Sequence, residues 1–218
     1  GFDGVQPMLD SLWAHPVASL GWSVIEALLN GETWFRRDRA VFDVFARELM
    51  PALTAARPGG KVRLWSAGAS TGQEAYSLAM AALESHADVE IVATDLSRLS
   101  IEKATAGLYT SFEIQRGLSA RTMLRWFEQA DDHWRARPEL RKAVKFERAN
   151  LLDDPADERQ FDVIFCRHVL SDLEPARRTQ VLDMLERRLV DDGCLFLGLD
   201  ERPEGDSVAF RPVAGRKG

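Results

Sequence analysis

The segment from Val62 to Met80 constrains the fold more than any other part of the chain. It reads Val62-Arg-Leu-Trp-Ser-Ala-Gly-Ala-Ser-Thr-Gly-Gln-Glu-Ala-Tyr-Ser-Leu-Ala-Met80, an apolar run, a loop of small residues and an amphipathic helix predicted over Gln73–Glu84. A strand passing through so short a loop into a helix is the first half of a βαβ unit. The rhythm continues with strand-like runs at Glu90–Ala93, Val144–Glu147, Phe161–Cys166 and Cys194–Leu199, and helical patterns at Ser97–Gly107 and Pro175–Val190. Such alternation predicts an α/β domain whose mostly parallel sheet is covered by helices on both faces.

Two regions break the pattern. The stretch before Gly31 carries weak amphipathic helical spacing, and a further helix with Val41, Phe42, Phe45 and Leu49 on one face is expected to end at Pro51. Residues 1–52 are thus expected to be a short helical segment and 53–218 the main domain. Near Trp126–Arg137 a small β-hairpin is expected, inserted at about 122–140, and Ser207–Val213 reads as a last, antiparallel strand.

Composition narrows the function. With 218 residues and 45% hydrophobic content, one main domain can bury a core. The net charge of −6 and the scattered basic residues argue against nucleic acid, the one dense group near the N-terminus being Arg36, Arg37 and Arg39. No run is long enough for membrane insertion, Cys166 and Cys194 lie in apolar runs that suit reduced thiols, and a cytoplasmic location is expected. His15, His86, His133 and His168 are dispersed, so no metal site is proposed.

The candidate ligand site follows from the loop. Ala67, Gly68, Ser70 and Gly72 let backbone approach a ligand at the end of the first strand, although a tight strand-to-helix turn needs the same residues. The spacing Gly68-x-Ser70-x-Gly72 is neither a dinucleotide fingerprint nor a phosphate-binding loop with its Gly-Lys-Ser/Thr. Asp95 ends the second strand and can accept hydrogen bonds from both ribose hydroxyls of an adenosine, or cap the next helix, a task Ser97 can also perform. Asn150 and Leu151 follow the third strand, suited to an adenine edge and face or to an ordinary turn. Arg167 and His168 end the fourth.

Taken together, Glu32-Thr33-Trp34-Phe35-Arg36-Arg37-Asp38, the loop and helix from Ser66 to Met80, Ala93-Thr-Asp95, Asn150-Leu-Leu152 and Phe161-Asp-Val-Ile-Phe-Cys-Arg-His-Val-Leu170 resemble the CheR-type chemotaxis-receptor methyltransferases. The resemblance implies a Rossmann-like methyltransferase fold with a mostly parallel seven-stranded sheet, a helical domain before it and an inserted β-subdomain. It implies S-adenosylmethionine as cofactor, S-adenosylhomocysteine as product, and methyl transfer to glutamates of a protein partner such as a chemoreceptor cytoplasmic domain. Carried over position by position, it implies cofactor contacts from Thr33, Arg37, Ala67, Gly68, Ser70, Gly72, Gln73, Asp95, Asn150, Leu151, Arg167 and His168, with Arg37 near the cofactor's carboxylate or the acceptor's. No catalytic base is assigned.

Departures from the family pattern stand beside these matches. Gly31 replaces an asparagine, Gln73-Glu74-Ala75 replaces Glu-Glu-Pro, and Arg167-His-Val-Leu-Ser-Asp-Leu173 replaces Arg-Asn-Val-Leu-Ile-Tyr-Phe. The helical segment before Glu32 is expected to be a shortened counterpart of the family's. Asp172, in place of tyrosine, brings negative charge toward an anionic acceptor, which leaves open a different acceptor or a domain that binds cofactor and signals without transfer. A nicotinamide-dependent oxidoreductase, with Arg98 near Asp95, is a third class that the loop spacing disfavours.

Overall fold

The computed structural model describes residues 3–14, 18–153, 158–203, 210, 211 and 213. The chain divides into two compact units, Gly1–Glu32 and Thr33–Gly218. The first contains α1 (Val5–Ala14) and α2 (Ala18–Leu28). Beyond α2, Asn30 accepts the Glu32 amide on its side-chain oxygen at 3.2 Å.

In the second unit the apolar residues of the innermost strands of the sheet alternate between two cores, which fixes the layering. In β1 (Val62–Ala67), Val62 and Leu64 enter one core while Trp65 and Ala67 enter the other. The same alternation separates Ile91 and Ala93 from Val92 in β2 (Val89–Asp95). The first core is filled from α3 (Arg39–Val44), α4 (Met50–Ala56) and α5 (Gln73–Glu84), and the second from α10 (Pro175–Arg188), so helices lie on both faces of the sheet. Between α5 and α10 in chain order come α6 (Arg98–Ala106), β3 (Leu108–Thr110), α7 (Ser111–Gln115), α8 (Ala120–Trp126), β4 (Phe127–Ala130), β5 (His133–Ala136), α9 (Pro138–Lys142), β6 (Val144–Arg148) and β7 (Phe161–Cys166). The last strand is β8 (Leu189–Leu197).

The central sheet has the order β6-β2-β1-β7-β8 with every pair parallel. Among the described residues it has five strands, where the resemblance implies seven. The strand expected at Ser207–Val213 falls largely outside the described residues, and Phe210, Arg211 and Val213 are not in a strand. The expected hairpin is present as antiparallel β4 and β5, but β3 joins them in a separate three-stranded sheet, and Leu124 to Trp126 are helical. Asp131 takes the left-handed backbone (φ 52°) that a tight hairpin turn requires.

Pro51 does not end its helix. The residues Phe45–Leu49 form a π turn, with the Met50 amide bonded to the Phe45 carbonyl, and α4 starts with Pro51 in its first turn. The wider turn removes the steric conflict that a proline ring makes inside a regular helix. Phe35, Phe42, Phe45, Met50 and Leu53 share a core with Tyr76 and Leu78 of α5, so the packing boundary lies at Glu32/Thr33 instead of the expected 52/53. At the other end α10 stops at Arg188, short of Val190, because Leu189 already turns into extended backbone to open β8.

Phe35 is fully buried and meets Tyr109 and Phe127 edge-on at 5.1 and 5.4 Å between ring centroids. It joins the segment after Glu32 to the small sheet. Phe35→Ala is expected to cost about 3–5 kcal/mol of stability, read from urea denaturation midpoints; a loss under about 1 kcal/mol would contradict this packing role.

Candidate active site

The parallel register brings the sequence-predicted residues to one edge. Ala67 lies opposite Thr94, Ser66 opposite Phe165 and Asp95 opposite Arg148. Consequently the Gly68–Gly72 loop, Asp95, Asn150–Leu151 and Arg167–His168 all leave the carboxyl ends of β1, β2, β6 and β7. The chain moves from β1 out to β2 and β6, then returns across β1 to β7. That reversal is the topological switch point at which open α/β sheets bind ligands.

The loop after β1 is shaped by left-handed backbone at Gly68, Ser70 and Gly72 (φ 83°, 47° and 93°). A Cβ on Gly72 would stand 2.8 Å from the Ala104 Cβ, so only glycine lets α5 start this close to α6. Backbone amides of Gly68 and Ala69 both donate to the Thr94 carbonyl at 2.9 Å, which ties the loop to the end of β2. Asp95 completes the tie: its two carboxylate oxygens accept the Ser70 and Ser97 amides at 2.7 and 2.8 Å. Ser97 itself caps α6, accepting the Ser100 amide at 3.1 Å. Burial pushes the Asp95 carboxyl above its ordinary value, against the pull of these amides.

At the end of β7 stands a charge cluster. Arg167, its side chain only 1% exposed, donates to Glu74 at 3.0 Å and to Asp38. The same Asp38 oxygen meets His168 Nε2 at 3.0 Å. His168 has left-handed backbone (φ 60°), and its amide donates to Glu201 at 2.8 Å. Glu201 also accepts the amides of Gly198 and Ser171, at 2.7 and 3.1 Å.

A family profile described as the CheR methyltransferase SAM-binding domain matches residues 31–218. The chain belongs to the CheR methyltransferase family. It is 37% identical to chemotaxis protein methyltransferase 1 of Pseudomonas aeruginosa over 82% of this chain and 68% of that one. It is 33% identical to chemotaxis protein methyltransferase Cher2 of Pseudomonas putida, over 94% of this chain and 78% of that one. The solved structure of the DszA carbon methyltransferase shares the fold, with a TM-score of 0.50 and 18% identity over 87% of this chain and 41% of that chain. This CheR-family chain is an S-adenosylmethionine-dependent methyltransferase.

Within this CheR-family site, the structure engages the expected residues to different degrees. Arg37 stacks on Trp34, 4.3 Å from the ring centroid, and Arg116 covers the same ring at 4.0 Å. Thr33 is half-buried just ahead of them. Gln73 is buried, and its side-chain oxygen accepts from Thr71 at 2.8 Å. The Asn150 side chain is turned onto its own loop, accepting from the Leu152 amide at 3.1 Å and donating to Asp153 at 3.2 Å. Leu151 packs on the second core. Asp172 is exposed at the end of the short 3-10 turn Leu170–Asp172.

Sequence reading did not single out Asp38, Glu74 or Glu201 for the site. Asp38 and Glu74 lay inside quoted motifs, and the arginine they share was itself a candidate; Glu201 carried no sequence signal. Burial raises the Glu74 carboxyl above its ordinary value, while Arg167 and the Ser66 hydroxyl, at 2.8 Å, pull it back in part. A carboxyl with a raised folded-state value adds stability while protonated and loses that contribution as pH rises through the folded value. The stability of the wild type relative to Glu74→Gln is therefore expected to fall as pH rises from about 4 to 7, followed by urea denaturation at each pH; a relative stability that grows with pH contradicts it.

Proposed function

We propose that this chain transfers the methyl of S-adenosylmethionine to the carboxylate of a glutamate side chain on a protein partner, such as the cytoplasmic domain of a chemoreceptor. The observation that carries the reading is the convergence on one sheet edge of Gly68–Gly72, Asp95, Asn150–Leu151 and Arg167–His168. The site suits an adenosyl group: the Asp95 carboxylate, which accepts the Ser70 and Ser97 amides and is also met by the Leu96 amide, keeps acceptor capacity for a ribose hydroxyl. Rotation of Asn150 out of its local turn would free its amide for an adenine edge, beside Leu151. When bound, the cofactor supplies an electrophilic sulfonium methyl.

The chemistry asked of the protein is then modest. A glutamate carboxylate, with an ordinary pKa of about 4.3, is ionised at neutral pH and needs no base. The side chains have to orient the two reactants in line and exclude water. Arg37, partly desolvated on Trp34, supplies a cation for the carboxylate of the cofactor or of the acceptor. Thr33, Ala67, Gln73 and His168 complete the proposed cofactor contacts.

A second reading, an uncharged acceptor, is favoured by Asp172, whose exposed carboxylate beside the end of β7 opposes an approaching anion. The two readings differ in the bond made. Incubation with methyl-labelled cofactor and a chemoreceptor cytoplasmic domain is expected to give a label released as methanol by mild base, as a methyl ester requires. Label stable to base would instead support the second reading. For the cofactor site, calorimetric titration with S-adenosylhomocysteine is expected to show binding that NAD and ATP do not reproduce. Asp95→Ala should weaken it by about 1–3 kcal/mol, and unchanged affinity would remove the ribose assignment.

A further inference from the structure

Arg37 sits in a turn that is held from both sides. Its neighbours Arg36 and Asp38 both adopt left-handed backbone (φ 52° and 59°), a conformation that non-glycine residues keep only when their surroundings enforce it. On one side the Arg36 amide donates to Ser77 Oγ at 3.0 Å, and Ser77 Oγ donates to the Gln73 carbonyl at 2.7 Å inside α5. On the other, Asp38 Oδ2 takes Arg167 and, at 3.0 Å, His168 Nε2, both at the end of β7. Arg167 is in turn committed to Glu74 and almost wholly buried, so its two engaged nitrogens do not serve an incoming anion.

We propose that Asp38 is a positioning residue of the cofactor site: by bridging Arg167 and His168 it locks the turn so that Arg37 meets the carboxylate of the cofactor's amino-acid end. This rests on the reading of Arg37 as a ligand contact, and narrows it to the cofactor. Asp38 touches none of the reacting atoms. Its charge is what the turn uses, because Arg167 and His168 bind a carboxylate more strongly than a neutral amide. Without it the turn loses its tie to the end of β7.

The test compares two ligands that differ in one end. S-adenosylhomocysteine carries the amino-acid carboxylate, and 5′-methylthioadenosine keeps the adenosine and sulfur but lacks it. Both are titrated calorimetrically into the full chain as wild type, Asp38→Asn, Arg37→Ala and the double variant. Asparagine keeps the shape of aspartate and tolerates left-handed backbone, so Asp38→Asn removes charge and little else.

The expected result is an affinity for S-adenosylhomocysteine about tenfold weaker in Asp38→Asn, with methylthioadenosine changed by less than about twofold. The double variant should bind no more weakly than Arg37→Ala. Equal weakening of both ligands, or losses that add in the double variant, overturns the proposal while leaving Arg37 as a contact. An unchanged affinity in Arg37→Ala removes the contact itself, and the proposal with it. Should Asp38→Asn fail to fold, Ser77→Ala releases the turn from its other side. The same selective loss is then expected, and a loss shared by both ligands overturns the idea.

Discussion

A guanidinium taken out of water costs several kcal/mol unless charged partners surround it, and the arrangement around Arg167 follows from that demand. Its partners come from far along the chain, Glu74 at a separation of 93 residues and Asp38 at 129. Glu74 reaches it from the first turn of α5, and Asp38 from the segment after Thr33. The pairing therefore holds α5 and the segment after Thr33 to the end of β7. Arg167 Nε has no hydrogen-bond partner among the described residues, so even the completed cluster keeps some of the cost.

Much of the fold was legible because its rules are local. The bounds of α5 follow from a glycine before it and an apolar face along it, and α6 is marked by Ser97 at its start and Gly107, left-handed, at its end. Parallel strands buried on both sides announce themselves as apolar runs, and β7 has the bounds its sequence gives it. Leu108–Thr110 was missed as a strand because three residues carry no periodicity, and their pairing is decided by β5, more than twenty positions away. Pro51 misled for a related reason: the rule that proline ends a helix assumes a regular turn before it, and a π turn removes that assumption.

The site divides in the same way. Positions fixed by strand ends and by glycine, such as Gly68, Gly72 and Asp95, could be placed from sequence because topology alone delivers them to the edge. Side-chain partnerships could not. Whether Asn150 faces a ligand or its own turn depends on Asp153 and Leu152, and whether Arg167 is a ligand contact or a structural cation depends on two carboxylates distant in sequence. The family resemblance named Arg167 and His168, but the structure shows what they are attached to.

Glu201 fixes the backbone at the rim of the site. Three amides, those of His168, Ser171 and Gly198, converge on this one carboxylate. The backbone at position 168 is thus held by a residue 33 positions downstream, while its side chain reaches the other way, to Asp38. Position 168 is therefore a joint between distant parts of the chain, its backbone pinned to Glu201 and its ring pinned to Asp38, so that a shift on either side is felt on the other.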